Sequence, residues 1–375
     1  MYDVVIVGGR CAGAPLGMLL AQAGHSVLIV DRATFPSDTL STHFIQLPGM
    51  ARLARWGLMD ALFETNCPPI TAAYFDAGGS ELEVEIPMHQ PVHGLACPRR
   101  TVLDKMLVDA AVTAGAELAE GVLVDSLVRD AERVVGISGH TTDGSFEARG
   151  RIVVGADGRH SLVAREAEAP YIEYEEPISG GWYSYFRGTG LTTTDVFFHD
   201  ELVSVMFPTN DELACVAIAW PKSQFAEKRR DIEGSFNGAL MRFGERGRRI
   251  LDAEREERFA GAADLSNFIR KAHGPGWALA GDARYHKDPV PADGISDAFR
   301  DAEFLSDAIS AFLTDEKEEG AALRDYETRT GVFSQSHLEP ALRCAGFGLS
   351  PQERLSAFID IRVLDSQEVE TPTNA

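Results

Sequence analysis

The first thirty-one residues constrain the fold of this chain more than any other stretch. An apolar run of strand length (3–7) leads into a glycine-rich turn (8–13), and a segment of helical composition (14–23) follows it. A second apolar run (26–30) then ends on an aspartate. This order of strand, glycine turn, helix, strand and acid is typical of the dinucleotide-binding unit of doubly wound α/β folds.

Four residues of this unit carry its expected chemistry. Gly8 and Gly13 permit a tight turn, and the N–H groups at the start of the following helix attract a pyrophosphate. Asp31 lies 23 residues after Gly8, close to the spacing of about 20 at which such a unit places an acid for the ribose hydroxyls. Arg10 stands where the unit usually has a second glycine. Its guanidinium either adds positive charge near the phosphates or points to solvent.

The composition is that of a globular protein of about two domains. The chain has 375 residues, of which 45% are hydrophobic and 25% are charged, and its net charge is −22. Such a surface repels nucleic acid and anionic membranes, so we expect neither as a partner. A basic residue that lies near an anionic cofactor is therefore of special interest, which draws attention to Arg10, Arg32, Arg99 and Arg100.

We expect a cytoplasmic location. Asp3 stands where a secretory signal would have a basic region, and glycines interrupt the first apolar run. No apolar segment reaches the length of about 18 residues that a transmembrane helix needs. The five cysteines are scattered and form no C-x-x-C pair, which predicts reduced thiols and no metal site. A homodimer is one of the assemblies that the sequence allows.

The order of strand-like and helical segments predicts an α/β fold in which one unit is inserted into another. We expect a three-layer, Rossmann-like cofactor domain made of segments 1–70, 96–165 and 270–320. Alternating and aromatic-rich segments predict an antiparallel sheet, which would form a substrate domain from 71–95 and 166–269. We expect a helical C-terminal segment (321–365) and then a flexible tail (366–375).

Two further apolar strands end in small polar turns, at 155–158 and at 281–282. In open α/β sheets, ligands bind beyond the carboxyl ends of the strands. Three such turns, two of them with an aspartate, suggest one long ligand that is contacted at several points.

These motifs resemble the para-hydroxybenzoate hydroxylase-like (class A) FAD-dependent monooxygenases. The run from Gly155 to Arg165 is similar to the second motif of that family. Gly281-Asp282-Ala283, with Pro289 and Gly294 downstream, is similar to the third motif, and Arg100 resembles an arginine that opens a helix beside the FAD. The resemblance spans residues 2 to 310 and implies an FAD-binding Rossmann-like domain.

The resemblance also implies roles for individual residues. Gly8, Gly13 and the helix that starts at Ala14 would bind the pyrophosphate, Arg100 would lie by the pyrophosphate or ribose, and Asp31 would bind the adenosine ribose. Arg10, which departs from the family, and Arg32 are expected at the cofactor because of their charge and not from the resemblance. Asp157 is associated in that family with both FAD and the nicotinamide cofactor. Asp282 would bind the ribityl and pyrophosphate region, in a third motif that also contains Gly281 and Pro289. Gly294 and Ile295 would direct backbone N–H groups to the N1 and O2 edge of the flavin. The chain departs from the family at Tyr285, where a histidine is usual, and at Ala292, where a glycine is usual.

The function that the resemblance implies is a monooxygenase. NAD(P)H would act as a transient reductant, and O2 would form a flavin C4a-hydroperoxide. That species would hydroxylate an apolar, aromatic or polyketide-like small molecule. We consider His43 and His286 as residues that handle protons at the flavin.

Three alternatives stay open. A reductase resembling geranylgeranyl reductases would share these motifs. A halogenase is less well supported, because the chain has no W-x-W-x-I-P stretch. The third alternative is a binding module in which Arg10 and Ala292, both departures from the family, abolish tight FAD binding.

Overall fold

The computed structural model describes residues 1–41 and 43–370 of the chain. Its strands are β1 (Tyr2–Val7), β2 (Val27–Asp31), β3 (Ala72–Ala77), β4 (Ser80–Glu85), β5 (Glu117–Glu120), β6 (Leu123–Asp130), β7 (Arg133–Thr141), β8 (Gly144–Gly155), β9 (Tyr171–Glu175), β10 (Ser179–Arg187), β11 (Thr194–His199), β12 (Leu202–Pro208), β13 (Leu213–Pro221), β14 (Glu254–Arg255), β15 (Ala260–Ala262), β16 (Asn267–Arg270), β17 (His273–Gly274), β18 (Trp277–Leu279) and β19 (Tyr285–His286). Its α-helices are α1 (Gly13–Gln22), α2 (Leu47–Arg55), α3 (Met59–Glu64), α4 (Arg100–Thr113), α5 (Leu162–Glu166), α6 (Phe225–Lys228), α7 (Ile232–Leu240), α8 (Gly244–Leu251), α9 (Gly294–Leu313), α10 (Glu319–Ala345) and α11 (Pro351–Glu370).

The first sheet has the strand order β17-β18-β8-β1-β2-β5, and its central pairs are parallel. Val4, Val5 and Ile6 on β1 are fully buried, since helices α1, α4 and α9 cover one face and the β6–β7 hairpin with α5 covers the other. Buried parallel strands of this kind need apolar side chains on both faces. The predicted α/β architecture with three layers is confirmed.

Strand β8 is longer than the sequence suggested. The segments 144–149 and 151–154 read as two strands, but they form one strand from Gly144 to Gly155. Its first half pairs antiparallel with β7, and its second half pairs parallel with β1. Gly150 lies between the halves, but it pairs with Tyr2 and the strand is not interrupted there, so one strand continues from the hairpin into the parallel sheet.

The second sheet has the order β14-β10-β13-β12-β11-β3-β4, and the β3–β4 hairpin joins it through parallel pairing of β3 with β11. That hairpin was predicted to lie outside the parallel sheet, and this is confirmed. The aromatic side chains of this sheet divide between its faces. Tyr183, Tyr185, Phe198 and Phe207 face the core shared with the first sheet, whereas Trp220 packs on the opposite face with α7 and α8.

The C-terminal helices α10 and α11 pack on α9 and α2, which confirms the predicted helical end of the chain. The tail predicted from residue 366 is wrong for 366–370, because α11 continues to Glu370. Its last turns are fixed by Glu368, which is ion-paired with Arg300 and Arg52. Residues 371–375 lie outside the described chain. None of the described helices is long and apolar enough to cross a membrane.

Candidate functional site

The three glycine-bearing turns meet at one edge of the first sheet. The backbone at Gly8 has φ 101°, and a Cβ there would lie 2.3 Å from the Ala156 carbonyl oxygen. A Cβ on Gly281 would lie 2.9 Å from the Cβ of Ala12. The turns after β1, β8 and β18 therefore contact one another, as parallel strands predict, and glycine permits this approach.

Helix α1 begins directly behind the first turn. Its N-terminus has no side-chain cap and no acidic residue in its first turn. Ala14 N–H donates to the Arg10 carbonyl at 2.9 Å and Pro15 has no N–H, so the groups that suit a pyrophosphate are the N–H groups of the preceding turn and the positive end of the helix dipole. Gly13 at the first helical position is packed so tightly that a Cβ would lie 1.8 Å from the Gly8 carbonyl oxygen.

Asp31 links the end of β2 to the glycine turn. Its carboxylate accepts hydrogen bonds from Gly9 N–H at 2.7 Å and from Ala33 N–H at 2.8 Å. Each carboxylate oxygen retains a lone pair, so Asp31 can still accept a ribose hydroxyl. The neighbouring Arg32 is exposed.

Arg100 opens α4 and is buried beside the first turn. It donates to Asp104 one helical turn later, at 3.0 Å from Nε to Oδ1, and the Cys11 thiol donates to the same oxygen at 3.4 Å. Burial disfavours the charged guanidinium and by itself would lower the pKa of Arg100. The interactions with Cys11, Asp104 and Asp282 together have the larger effect, so the pKa is raised. Arg100 therefore keeps its positive charge next to the turn of the third motif.

Arg10 does not point to solvent. Its Nη1 pairs with Asp104, and its Nη2 donates to Ser37 Oγ at 2.9 Å and to the Asp38 carbonyl at 3.3 Å. Arg10 thus connects the glycine turn to α4 and to the loop after β2. Arg10 and Arg100 share the carboxylate of Asp104, and Asp282 also acts on the charge of Arg100.

We expect Arg10→Gln to raise the dissociation constant of FAD about ten-fold, because it removes a positive charge beside the glycine turn and frees the loop after β2. Equilibrium dialysis of FAD against the apoprotein, at low and at high salt, measures the effect. Arg10→Lys should recover part of the affinity at low salt, since it keeps the charge without the planar fork. Unchanged or tighter binding by Arg10→Gln or Arg10→Gly would contradict this role.

The carboxylate of Asp157 is hydrogen-bonded to residues of the turn that follows it. It accepts from Ser161 Oγ at 2.5 Å and from Leu162 N–H at 2.7 Å, at the N-terminus of α5. Burial raises the pKa of Asp157, although these hydrogen bonds oppose the shift. The cofactor contact predicted for this carboxylate stays a prediction, since its oxygens already bind the turn.

The third turn is fixed by a buried ion pair. Arg284 binds both oxygens of Asp301 at 2.9 and 3.0 Å, and Gly281 N–H donates to Asp301 at 2.9 Å. Asp282 projects from this turn, is half-buried and interacts with the charge of Arg100.

The loop from Pro289 to Gly294 leads into α9. Pro289 is exposed, and its carbonyl accepts from Ala292 N–H at 2.9 Å. Gly294 is exposed at the first position of α9, whereas Ile295 is buried. The N-terminus of a long helix is thus presented beside the third motif, where it can stabilise negative charge.

Ala292 in this loop has φ 59°, a left-handed conformation that favours glycine. We expect Ala292→Gly to increase the free energy of unfolding by up to about 1 kcal/mol, since the strain of a left-handed alanine exceeds the entropy that glycine adds to the unfolded chain. Denaturant titration of the apoprotein measures it. A loss of more than about 1 kcal/mol would show that the alanine methyl group is needed for packing.

The two histidines proposed as catalytic lie in different surroundings. His43 is fully buried and hydrogen-bonded through Nε2 to the hydroxyl of Tyr185. Burial, and then the charges of Arg100 and Arg99, hold the pKa of His43 well below its usual value. His286 lies on β19, where Nδ1 donates to the Ser266 carbonyl at 2.6 Å. The structure records no contact between the two among the described residues, and their catalytic roles stay predictions.

Some residues of this site were not predicted as site residues. Asp104 could have been found, because a carboxylate four residues after an arginine on one helix face is a recognised pair. Asp301 lies in the stretch that resembles the third motif, and Tyr185 is one of the aromatic residues that could line a pocket. Their partners could not be predicted, since these are distant in the sequence.

The residues present fit an FAD. The glycines let the three turns pack closely at one sheet edge, the helix behind the first turn has no side-chain cap, and Arg100 and Arg10 supply positive charge to a chain that is otherwise strongly acidic. Among the described residues, no group of three or more His, Cys, Asp or Glu is arranged to hold a metal ion.

Comparisons with known proteins support FAD as the cofactor. A family model described as an FAD binding domain matches residues 1–340. A 1H-pyrrole-2-carbonyl-[peptidyl-carrier protein] brominase of Pseudoalteromonas luteoviolacea is 25% identical over 319 residues, which cover 82% of this chain and 77% of that protein. A digeranylgeranylglycerophospholipid reductase of Methanopyrus kandleri is 26% identical over 381 residues, which cover 98% of this chain and 91% of that protein.

Solved structures share the fold at lower identity. A flavin-dependent brominase superposes with a TM-score of 0.84 at 19% identity, over 98% of this chain and 92% of that chain. PqsL of Pseudomonas aeruginosa in complex with 2-aminobenzoylacetate superposes with a TM-score of 0.84 at 20% identity, over 96% of this chain and 99% of that chain.

Proposed function

Because the chain belongs to the FAD binding domain family, we propose that it is a monooxygenase that hydroxylates an apolar, aromatic or polyketide-like small molecule with NAD(P)H and O2. It is an FAD-dependent oxidoreductase with relatives among aromatic hydroxylases, halogenases and reductases. Within that group we place it nearest to the para-hydroxybenzoate hydroxylase-like enzymes, on the motifs of the second and third turns.

One observation carries the proposal: the sheet edge that bears the glycine turns adjoins an aromatic sheet face, since Arg99, next to Arg100, lies 3.9 Å from the centre of the Tyr185 ring. Arg100 and the glycine turns form the sheet edge, and Tyr183 and Tyr185 lie in the core between the two sheets. A planar apolar substrate would find aromatic partners there. The aromatic ligand of PqsL, which shares the fold, supports this choice.

Each part of the chain would make a definite contribution. FAD, when bound, supplies the hydride-accepting and O2-activating chemistry. The glycine turn and α1 bind the pyrophosphate, and Arg100 orients it through its charge. The N-terminus of α9, at Gly294 and Ile295, would direct N–H groups to the edge of the flavin where negative charge develops on reduction. The apolar sheet face excludes water from the substrate.

The nicotinamide cofactor would dock from outside. A cleft of about 560 Å³ lies beside the Asp157 turn and is lined by Arg159, Arg165, Tyr171 and Arg270, among others. Arginines and aromatic rings suit the phosphates and the bases of a dinucleotide. The chain would then need no separate nicotinamide domain.

The experiment starts from the purified full-length chain reconstituted with FAD. We expect a yellow protein whose NAD(P)H oxidation increases with an aromatic ligand, and a product that carries one oxygen atom from isotope-labelled O2. A colourless protein that takes up no FAD would contradict the proposal and favour a binding module.

A reductase is the second candidate, because a digeranylgeranylglycerophospholipid reductase aligns with nearly the whole chain. Anaerobic turnover of an alkene with reduced FAD would identify it. A halogenated product formed only with added bromide or chloride would instead identify a halogenase, the activity named for the Pseudoalteromonas relative.

A further inference from the structure

The loop that leads into α9 is held by a residue of the last helix. Arg362, on α11, contacts the Pro291 carbonyl oxygen through Nη2 at 3.4 Å, and the same nitrogen pairs with the carboxylate of Asp293. The side-chain amide of Gln46 donates to the same Pro291 carbonyl at 3.2 Å. Arg362 therefore contacts the residues on both sides of Ala292, whose left-handed backbone must be held by the surrounding structure.

Asp293 occupies the N-cap position of α9 but does not cap the helix. An aspartate at this position commonly accepts a hydrogen bond from a backbone N–H of the first helical turn. The backbone of Asp293 instead lies in the right-handed region, with φ −105° and ψ −10°, and its side chain makes no capping hydrogen bond. Oδ1 is bound by Arg362, and Lys287 Nζ lies 3.6 Å from Oδ2. Two cations thus engage the carboxylate in place of the helix.

The first backbone N–H groups of α9 are left open by this arrangement. The helix begins its own hydrogen bonding with Asp297 N–H, which donates to the Asp293 carbonyl at 3.0 Å. In the described part of the chain, the N–H groups of Gly294 and Ile295 have no hydrogen-bond partner. Such groups are normally satisfied by a capping side chain, by water or by a ligand. Here the side chain that could cap them is bound elsewhere.

The charges around Asp293 explain why its carboxylate depends on Arg362. Burial raises the pKa of Asp293, whereas Arg362 and then Lys287 oppose this shift. Two more buried acids share these cations, since Asp297 lies 2.5 Å from Lys287 Nζ and Asp365 lies 3.2 Å from Arg362 Nη1. If Arg362 is removed, Lys287 already has a closer partner. The open N–H groups of the first helical turn are then within reach of an N-cap side chain.

We propose that Arg362 is a positioning residue for the flavin, because it withholds the Asp293 carboxylate from the N-terminus of α9 and keeps the N–H groups of Gly294 and Ile295 available. This inference rests on the proposed function, which places the flavin edge at these two residues. Free N–H groups and the helix dipole stabilise the negative charge that develops at that edge on reduction. Without Arg362, Asp293 would cap the helix and occupy those groups.

Redox titration of the FAD-loaded full chain tests the proposal. Anaerobic reduction with dithionite in the presence of reference dyes gives the midpoint potential of the bound flavin. We expect Arg362→Gln to weaken the binding of reduced FAD relative to oxidised FAD about ten-fold, which lowers the midpoint potential by about 30 mV. Arg362→Lys keeps the charge without the planar fork, so we expect an intermediate decrease of about three-fold. This variant carries the test if Arg362→Gln does not fold.

A variant of the carboxylate separates positioning from charge. Asp293→Ala removes the group that would cap α9, so its midpoint potential should equal or exceed that of wild type. In the Asp293→Ala background, Arg362→Gln should change the ratio of affinities by less than about two-fold, whereas mere loss of a positive charge would lower it in both backgrounds. Arg343→Gln, the same charge change at an exposed pair on α10, should keep the wild-type potential.

An unchanged ratio of affinities in the folded Arg362 variants would overturn the inference. A decrease of equal size in the Asp293→Ala background would do the same, since charge alone would then explain it. FAD content and NAD(P)H oxidation with an aromatic ligand report separately on the proposed function. An FAD-loaded, active chain in which Arg362→Gln keeps the wild-type potential would refute the inference alone, and a chain that takes up no FAD would overturn both.

Discussion

Gly13→Ala is expected to abolish the retention of FAD during purification. The new Cβ would lie 1.8 Å from the carbonyl oxygen of Gly8 and 3.0 Å from a side-chain carbon of Ile6. Because the first clash is with backbone, the turn and the start of α1 must separate, and the N–H groups proposed to bind the pyrophosphate would lose their alignment. We also expect the free energy of unfolding to fall by about 2–3 kcal/mol, as overpacking of a core commonly does.

Flavin absorbance per mole of purified protein, followed by FAD titration of the apoprotein, measures this effect. Gly331→Ala is the matched control, since Gly331 lies inside α10 and a Cβ there would meet nothing within 4 Å. That variant should keep its FAD and gain a few tenths of a kcal/mol through helix propensity. Normal FAD content in Gly13→Ala would mean that the turn is not the pyrophosphate site.

Arg300→Met is expected to destabilise the chain by about 3 kcal/mol, with a smaller effect on FAD affinity. Arg300 is buried on α9 and bonds Asp297 at 2.6 Å and Glu368 at 2.5 and 2.9 Å. Its removal leaves two buried carboxylates short of a partner, and loss of one member of a buried ion pair costs about 3–5 kcal/mol. Arg52 and Lys287 remain as partial partners, which places the expected value at the lower end.

Denaturant unfolding of the apoproteins measures the loss. Arg343→Met is the control, because Arg343 pairs with Glu339 at 3.8 Å on the exposed side of α10. Exposed pairs of this kind contribute little, so we expect a change of about 0.5 kcal/mol or less. An equally small change in Arg300→Met would show that the methionine side chain replaces the ion pair without cost.

The same network predicts a pH dependence. Burial raises the pKa of Glu368, but Arg300 and Arg52 outweigh it and lower the pKa from 4.5 to about 2. A group with a lowered folded-state pKa stabilises the fold above its unfolded pKa and loses that contribution as the pH falls through the folded value. Wild type should therefore exceed Glu368→Gln in stability by about 3 kcal/mol near neutral pH. The difference in unfolding free energy between wild type and Glu368→Gln should shrink below about pH 4.5. A difference that does not change with pH would contradict the prediction.

Local sequence patterns predicted the first sheet well. Apolar runs such as 3–7 and 26–30 favour buried strands because they are short, rich in β-branched residues and bounded by glycines that mark turns. The sequence pattern wrongly predicted two strands in place of β8, because the alternation of side chains along a strand does not show where that strand changes its pairing partner. The prediction of a flexible tail from residue 366 was wrong for a different reason. Glu368 is polar, and its burial is explained only by its distant partners, Arg52 and Arg300.

The sequence by itself thus determined the glycine turns, the uncapped helix behind the first of them and the meeting of strand ends at one edge of the sheet. All of these follow from preferences of a few neighbouring residues and from the direction of parallel strands. Only the tertiary structure decided that His43 meets Tyr185, 142 residues away, and that Arg10 and Arg100 share Asp104. Such contacts depend on how sheets and helices pack against each other, and no local pattern in the chain encodes that geometry.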